Sequence, residues 1–150
     1  MRTKFIQLVI ISLVVVACSK DKFTTKPQVE VRSVSPNPVL SGNLITIKAH
    51  FTDDEGDLDS VLVIYKWYNG NTVTKADTLG RYGESILQLP KKIREADIFL
   101  RYSYNNFNSN TIALSAVPKD TTATFGLILI DKKKNRSDYS ESEKISIKKP

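Results

Sequence analysis

Residues 44–69, LITIKAHFTDDEGDLDSVLVIYKWYN, decide the fold of this 150-residue chain. In residues 44–52 apolar and polar side chains alternate, which is the pattern of a half-buried strand. Residues 53–59 form an acidic turn. In residues 60–69 the face containing Tyr65 and Trp67 is apolar and the opposite face is largely apolar too. The stretch therefore predicts a strand, an acidic turn, and a second strand near the middle of a sheet.

Outward from this stretch, short alternating segments recur between turns rich in Pro, Gly and Asn. They predict strands at residues 28–34, 72–79, 85–89, 96–104, 111–116, 122–131 and 144–149. Residues 80–83 predict a turn and 131–143 a charged loop, and no segment shows a convincing helical period. Eight or nine short strands predict an all-β fold, an antiparallel β-sandwich, rather than a mixed fold.

The beginning of the chain predicts a targeting segment. Two basic residues precede an apolar run at residues 5–16, which is too short for the roughly twenty residues that span a bilayer and suits a signal peptide. The run ends in Ala17 and Cys18. This ending resembles the lipobox of bacterial lipoproteins, in which the Cys is acylated and becomes the new N-terminus. We therefore expect residues 1–17 to be removed and Cys18 to carry lipid that binds the membrane.

Composition supports an exported, single-domain chain. Cys18 is the only cysteine, so the chain cannot form an internal disulfide. Residues 18–27 are polar and predict a flexible tether, followed by one domain at residues 28–150. Removal of the signal peptide lowers the formal net charge from +6 to about +4. The basic clusters at 91–94 and 132–136 suit solvated loops better than nucleic acid, because an exported protein does not meet nucleic acid.

Three features together resemble a Bacteroidota lipoprotein with one immunoglobulin-like domain of the polycystic-kidney-disease or cadherin-like kind. The first is a pair of strands joined by the acidic turn, with Trp67 in the second strand. The second is a late strand ending at Asp131 before a loop containing Asn135, and the third is the closing strand at residues 144–149. The resemblance implies that the acidic turn joins strands B and C, that Trp67 lies in the core, and that the late loop joins strands F and G. It also implies an outer-membrane location, with the periplasmic and cell-surface faces both left open.

The acidic turn is a candidate cation site. Its five carboxylates repel one another unless they are solvated or neutralised, and Ca²⁺ would neutralise them with six to eight oxygen ligands. The spacing is not that of an EF-hand, since Gly56 is fourth in the turn and Ile64 stands where the closing Glu would be. The candidate ligands from this turn and from the loop after the late strand are Asp53, Asp54, Glu55, Asp57, Asp59, Asp131 and Asp138. The alternative, which we favour, is a solvated turn partly paired with the lysines at 132–134 and Arg136.

The sequence favours a non-enzymatic protein. The only histidine, His50, is predicted on the outward face of its strand, and the chain has no glycine-rich phosphate loop and no cluster of Cys or His ligands. We expect no cofactor besides the calcium considered above.

The aromatic residues predict either core packing or sugar binding. Tyr68 and Tyr104 are candidates for stacking on sugar rings if their strands leave them exposed. We therefore expect a lipid-anchored binding or scaffold protein of an outer-membrane assembly, whose partner is an envelope protein or a glycan. The alternative is a carbohydrate-binding lipoprotein that uses exposed aromatic residues.

Overall fold

The computed structural model describes residues 25–88, 90, 92–108 and 110–150. The predicted signal peptide, the lipidated Cys18 and most of the tether lie outside the described residues. The elements in chain order are β1 (Gln28–Ser35), β2 (Leu44–Thr52), β3 (Leu58–Asn69), β4 (Thr72–Gly83), α1 (Glu84–Leu87), β5 (Glu95–Tyr104), β6 (Ile112–Leu114), β7 (Thr121–Asp131), β8 (Ser140–Glu141) and β9 (Ile145–Ile147). No helix within these residues is long and apolar enough to cross a membrane.

The strands form two sheets. One sheet has the order β1-β2-β5-β6, and the other has the order β4-β3-β7-β8, with β9 also paired to β7. Every pair is antiparallel except β5 and β6, which run parallel. The prediction of an all-β sandwich is therefore confirmed.

The core lies between the two sheets, where the alternating apolar faces meet. On β2 the side chains of Ile45, Ile47 and Phe51 are fully buried, and on β7 Phe125 and Leu127 are fully buried as well. The predicted period of two is thus confirmed on both sheets. Removing apolar surface from water is the dominant favourable term in folding, and this chain has no internal disulfide to add to it. The interface between the two sheets is therefore the main source of its stability.

Register places the turns of the sandwich at two opposite ends. Gln28 at the start of β1 pairs with Thr52 at the end of β2, so the N-terminal tether enters beside the acidic turn. The loop after Asp131 is at that end too, because Asp131 pairs with Leu58 at the start of β3. We call this the acidic end. The β3–β4 turn and the end of β9 lie at the far end, since Ile147 pairs with Thr121 at the start of β7.

Two elements differ from their predictions. β4 continues through the predicted turn at residues 80–83, with a register irregularity opposite Val63 and Ile64 that accommodates the extra residue. The predicted strand at 85–89 begins instead as a single helical turn, closed by the Gln88 N–H donating to the Glu84 carbonyl at 3.0 Å. A short apolar run does not distinguish a strand from a helix by its period alone, which is why this prediction was wrong.

Two further segments were predicted only in part. In β6, Leu114 is buried as predicted, but Ile112 is about half exposed because it lies at the sheet edge. The predicted charged loop contains β8, where the Ser140 hydroxyl accepts a hydrogen bond from the Val31 N–H at 2.8 Å. This contact ties β8 to the edge strand of the opposite sheet.

Candidate functional site

The acidic end brings together three carboxylates from two loops. One oxygen each from Glu55, Asp57 and Asp131 lie within 4.8 Å of one another. Two oxygens bound to one Ca²⁺ at about 2.4 Å can be at most about 4.8 Å apart, so the three oxygens fit around such an ion. The acidic turn and the loop after Asp131, which together supplied the predicted ligands, therefore meet at one end of the sandwich.

Asp53 holds the turn in shape from beneath. Its side chain is fully buried, and its two carboxylate oxygens accept the backbone N–H groups of Glu55 at 3.3 Å and Asp57 at 3.0 Å. Burial raises the pKa of Asp53, although these two hydrogen bonds counteract part of the rise. With both oxygens engaged by the backbone, Asp53 acts as a scaffold for the turn rather than as an open cation ligand.

Asp131 is the corresponding scaffold of the second loop. It is fully buried, and it accepts the Asn135 backbone N–H at 2.8 Å and the Asn135 side-chain amide at 2.7 Å. The two loops are joined directly, because the Lys132 N–H donates to the Asp57 carbonyl at 3.0 Å. Sequence reasoning had placed Asn135 in this loop but had given it no role in holding the acidic cluster.

The cluster already has one cation from the protein. The ammonium group of Lys133 lies 2.5 Å from one carboxylate oxygen of Glu55, and this hydrogen bond raises the pKa of Lys133. The other oxygen of Glu55 and one oxygen of Asp57 are buried without a protein hydrogen-bond partner. The three carboxylates alone do not complete the six to eight oxygens of a calcium site. The arrangement therefore fits the favoured alternative, partial pairing with basic residues, and it also leaves two buried carboxylate oxygens without a hydrogen-bond partner.

The remaining acidic candidates are apart from this cluster. Asp59 pairs with Arg81 at 3.0 Å and with Lys134 at 3.4 Å. Asp138 is almost wholly exposed and lies 2.6 Å from Lys26, so it is not brought to the cluster. Asp54 follows Asp53 on the partly exposed surface of the turn. The structure brings together three of the seven predicted ligands. A fourth, Asp53, accepts hydrogen bonds from the backbone of two of them.

A second candidate site is an open groove of about 480 Å³ on the side of the sandwich, between the β4 and β6 edges. Tyr65 and Trp67 line it, with ring centroids 4.8 Å apart and ring planes at 57°. Trp67 packs against the core but is only partly buried, so the predicted core anchor is also a surface of the groove. We call this feature the aromatic groove. Its polar lining comes from β4, the segment after β6 and the start of β7: Thr74, Lys75, Asp77, Thr78, Ser115, Lys119 and Thr121.

The two tyrosines predicted as sugar contacts are placed differently. Tyr104 is fully buried, and its hydroxyl donates to the Lys148 carbonyl at 2.8 Å and accepts the Val117 N–H at 3.1 Å. Because its ring has no exposed face, the prediction of Tyr104 as a ligand contact is wrong. Tyr68 is partly exposed, but the ammonium group of Lys144 lies 4.3 Å from its ring centroid and covers that face.

His50 lies on the outward face of β2, as predicted, and it is held between two carboxylates. Its ring nitrogens lie 3.0 Å from Asp97 and 3.1 Å from Glu95. Arg32 and Lys48 also approach Asp97, at 3.3 Å and 3.4 Å. The histidine therefore belongs to a surface network of hydrogen bonds and ion pairs across β1, β2 and β5.

No protein-family model matches the chain, and no curated protein matches it. A similar solved structure is that of Spo0M, a sporulation control protein from Bacillus subtilis, with a TM-score of 0.49 and 8% sequence identity. The match covers 85% of this chain and 51% of the Spo0M chain, so this chain spans about half the length of that protein.

Proposed function

We propose that this chain is a lipid-anchored, non-enzymatic binding or scaffold protein of an outer-membrane assembly. The observation that carries the proposal is the order of the N-terminal signals, in which a basic start and a short apolar run lead to Ala17 and Cys18. The geometry supports it, because the tether joins β1 at the acidic end and leaves the far end and both sides free for a partner. The ten residues of the tether reach at most about 36 Å, so the domain stays close to the membrane.

The immunoglobulin-like assignment is part of this proposal, and the strand order supports it. The orders β1-β2-β5 and β4-β3-β7-β9 correspond to A-B-E and C′-C-F-G in immunoglobulin-like sandwiches. In that correspondence the acidic turn joins B and C, and Trp67 lies on C. The short parallel strand β6 departs from the pattern, because a D strand would run antiparallel to E.

Replacing the acylated cysteine tests the anchor. We expect Cys18→Ala to abolish lipid labelling and processing, whereas Ser19→Ala should leave both unchanged. The measurement is incorporation of radiolabelled palmitate, together with separation of inner and outer membranes on a density gradient. Normal processing of the Cys18→Ala protein, or a wild-type protein without label, would contradict the proposal.

The scaffold role predicts that the wild-type protein is part of a larger assembly. Outer membranes solubilised in mild detergent should contain the protein in a complex well above the mass of two copies, measured by size-exclusion chromatography with light scattering. The matched sample is the same protein after high-salt and detergent washes that disperse peripheral contacts. A protein that always elutes as one or two copies would contradict membership of an assembly.

The aromatic groove favours one second candidate, carbohydrate binding. Its size is within the range of small-ligand sites, and it combines aromatic faces with hydroxyl, carboxylate and ammonium groups along its rim. A pyranose presents an apolar C–H face to such rings and hydroxyl groups to such a rim. We therefore place the sugar contact on Trp67, whose ring is partly exposed in the groove, with the buried Tyr65 supporting it from the core.

This candidate has a direct optical test, because Trp67 is the only tryptophan of the chain. We expect neutral and uronic-acid hexasaccharides, titrated separately, to change its emission in the detergent-solubilised protein. Asp77→Asn should weaken the change, while Asp120→Asn, outside the groove, should not. No emission change with any hexasaccharide at millimolar concentration would exclude the groove as a sugar site.

A further inference from the structure

The outer edge of β4 is open over more than half of its length. Within the part of the chain that the structure describes, β4 pairs with β3 alone and is the last strand of its sheet. It is twelve residues long, and residues 72–78 are all exposed. An exposed edge strand presents unpaired N–H and C=O groups, which can pair with a strand of another molecule.

The backbone polar groups at the middle of this edge point outward. The Thr78 N–H donates to its neighbour Asp77 through one carboxylate oxygen at 2.8 Å, so this N–H is directed away from β3. Between the two register irregularities of β4, residues 75–78 pair regularly with β3, so backbone direction alternates along them. Ala76 therefore also directs its N–H and C=O to the open edge.

The sequence of this edge is complementary to itself. Residues 73–79 are VTKADTL, and an antiparallel copy centred on Ala76 places Lys75 opposite Asp77, and Asp77 opposite Lys75. Further out, Thr74 faces Thr78 and Val73 faces Leu79. Opposite charges, threonine pairs and apolar pairs are the cross-strand combinations that stabilise antiparallel sheets.

The β4 edge also has features that disfavour pairing with most other strands. The register irregularities near Thr74 and Leu79 limit the regular edge to a few residues, and two charged side chains project on the groove side. Bulges and charges of this kind protect an edge from indiscriminate pairing. A second copy is the strand that meets both charges with the opposite sign, because its own edge has the same sequence in reverse.

We propose that two copies of this chain associate through antiparallel pairing of their β4 edges, with a two-fold axis at Ala76. The N–H and C=O of Ala76 exchange two hydrogen bonds with Ala76 of the second copy. The carboxylate of Asp77 turns to Lys75 of the second copy and releases the Thr78 N–H for the ladder. The two four-stranded β4-β3-β7-β8 paths then form one continuous sheet, and the interface is isologous.

The short regular edge sets the strength of the association. A contact built on residues 75–78 of each copy is smaller than the interface of a stable dimer, which buries about 800 Å² per partner. We therefore expect monomers in dilute solution and dimers where the chain is concentrated. The inference goes beyond the proposed function and does not depend on it, since the pairing needs only the folded domain.

A cysteine at the two-fold axis tests the pairing. Paired Ala76 positions would lie about 5.5 Å apart, within the Cα separation that a disulfide requires. We expect mild oxidation of concentrated Ala76→Cys protein, whether or not it is bound to membranes, to yield a disulfide dimer on non-reducing gels. The wild type controls for Cys18, and Thr72→Cys is the matched exposed control, because paired copies would hold its positions about 27 Å apart. No dimer from Ala76→Cys, or equal yields from both variants, would overturn the proposal.

Charge reversal separates specific pairing from chance collision. In the Ala76→Cys protein, we expect Lys75→Asp or Asp77→Lys to lower the rate of disulfide formation about tenfold, because two attractive pairs become repulsive. The double variant with both changes restores the opposite signs and should restore the rate. A double variant as slow as the single ones would overturn the assigned register.

Discussion

Single carboxylates at the acidic end differ in what neutralises them. Asp53 and Asp131 are fully buried, yet each has its oxygens engaged by backbone or amide N–H groups. Glu55 and Asp57 are less buried, but each has one oxygen without a partner. Lys133 contacts the other oxygen of Glu55, so the balance of charge at this end depends on one flexible, largely exposed side chain.

Without the Lys133 side chain, the acidic cluster should depend on an added cation for its stability. We expect Lys133→Ala to lower the melting temperature by about 3 °C and Ca²⁺ at 10 mM to restore it, because the three carboxylates then lack their protein cation. For the wild type we expect no rise in melting temperature with Ca²⁺. The measurement is a thermal melt of chelator-treated protein, with calorimetric titration alongside.

The control is Lys132→Ala, whose ammonium group pairs with Glu84 at 3.1 Å outside the cluster. It should respond little to Ca²⁺. If Lys133→Ala also gains nothing from Ca²⁺, the cluster is structural and needs no cation.

Glu141 should make stability depend on pH. Burial alone would raise its pKa, but hydrogen bonds from the Thr124 hydroxyl and the Lys66 ammonium hold the pKa of Glu141 below its usual value. The ionised Glu141 carboxylate therefore stabilises the folded protein fully above about pH 5. This stabilisation is lost as the pH falls through the lowered pKa. We expect Glu141→Gln to reduce the unfolding free energy by about 1–2 kcal/mol at pH 7, and by less below pH 4.

Urea unfolding at both pH values measures this effect. Glu143→Gln is the matched control, because Glu143 is exposed and two residues away on the same segment. A difference between Glu141→Gln and the wild type that is the same at pH 3.5 and pH 7 would contradict the assigned ion pair.

At the scale of elements, the acidic turn is shaped by packing as much as by charge. Gly56 has φ +64°, and a Cβ there would lie 2.8 Å from the backbone carbon of Lys92. The Asp53 N–H also donates to the Arg94 carbonyl at 2.8 Å. The segment before β5 therefore closes over the turn, and only glycine fits the contact.

Two glycines with similar φ angles separate the cost of the backbone conformation from the cost of the close contact with Lys92. We expect Gly56→Ala to reduce the unfolding free energy by about 3 kcal/mol, and Gly70→Ala by only about 1 kcal/mol. Gly70 has φ +60° and no atom lies within 4 Å of the position that a Cβ would take. Alanine at this position would therefore lose free energy only through the unfavourable backbone conformation. Equal losses in chemical denaturation would mean that the contact with Lys92 has no energetic weight.

The elements that alternation defines most clearly were predictable from the sequence. The core faces of β2, β3 and β7 follow a period of two, and the acidic turn between β2 and β3 was located correctly. The site was predictable only in part, since sequence order shows that two loops share an end but not which oxygens converge. Tyr104 was a candidate surface contact and is buried, whereas Trp67 was predicted in the core and is partly exposed. Burial depends on how one sheet covers the other, and the period of a single strand carries no information about that.

For the whole molecule, the two sheets do not cover each other evenly. Residues 72–78 of β4 are exposed, while β7 is paired on both sides and its Ala123, Phe125, Leu127 and Leu129 are fully buried. Local stability should follow this coverage, because amides exchange through openings whose cost rises with buried contacts.

Hydrogen exchange measures that distribution. We expect amides of residues 72–78 to exchange at least a hundredfold faster than those of residues 123–129, when each is compared with its own unfolded-chain rate. β3 is the internal control, because it has the same length as β4 but pairs with strands on both sides. Equal protection of β3 and β4 in dilute protein would contradict the proposed order of local stability.

The positions of the two chain ends also determine how the domain resists force. The chain enters β1 at the acidic end and leaves β9 at the far end, so a pull between them acts along the strands. Antiparallel pairs such as β1 and β2 are then loaded in shear, and their hydrogen bonds must break together rather than one after another. A domain tethered at the acidic end and held by a partner at the far end would therefore bear tension along its stiffest direction.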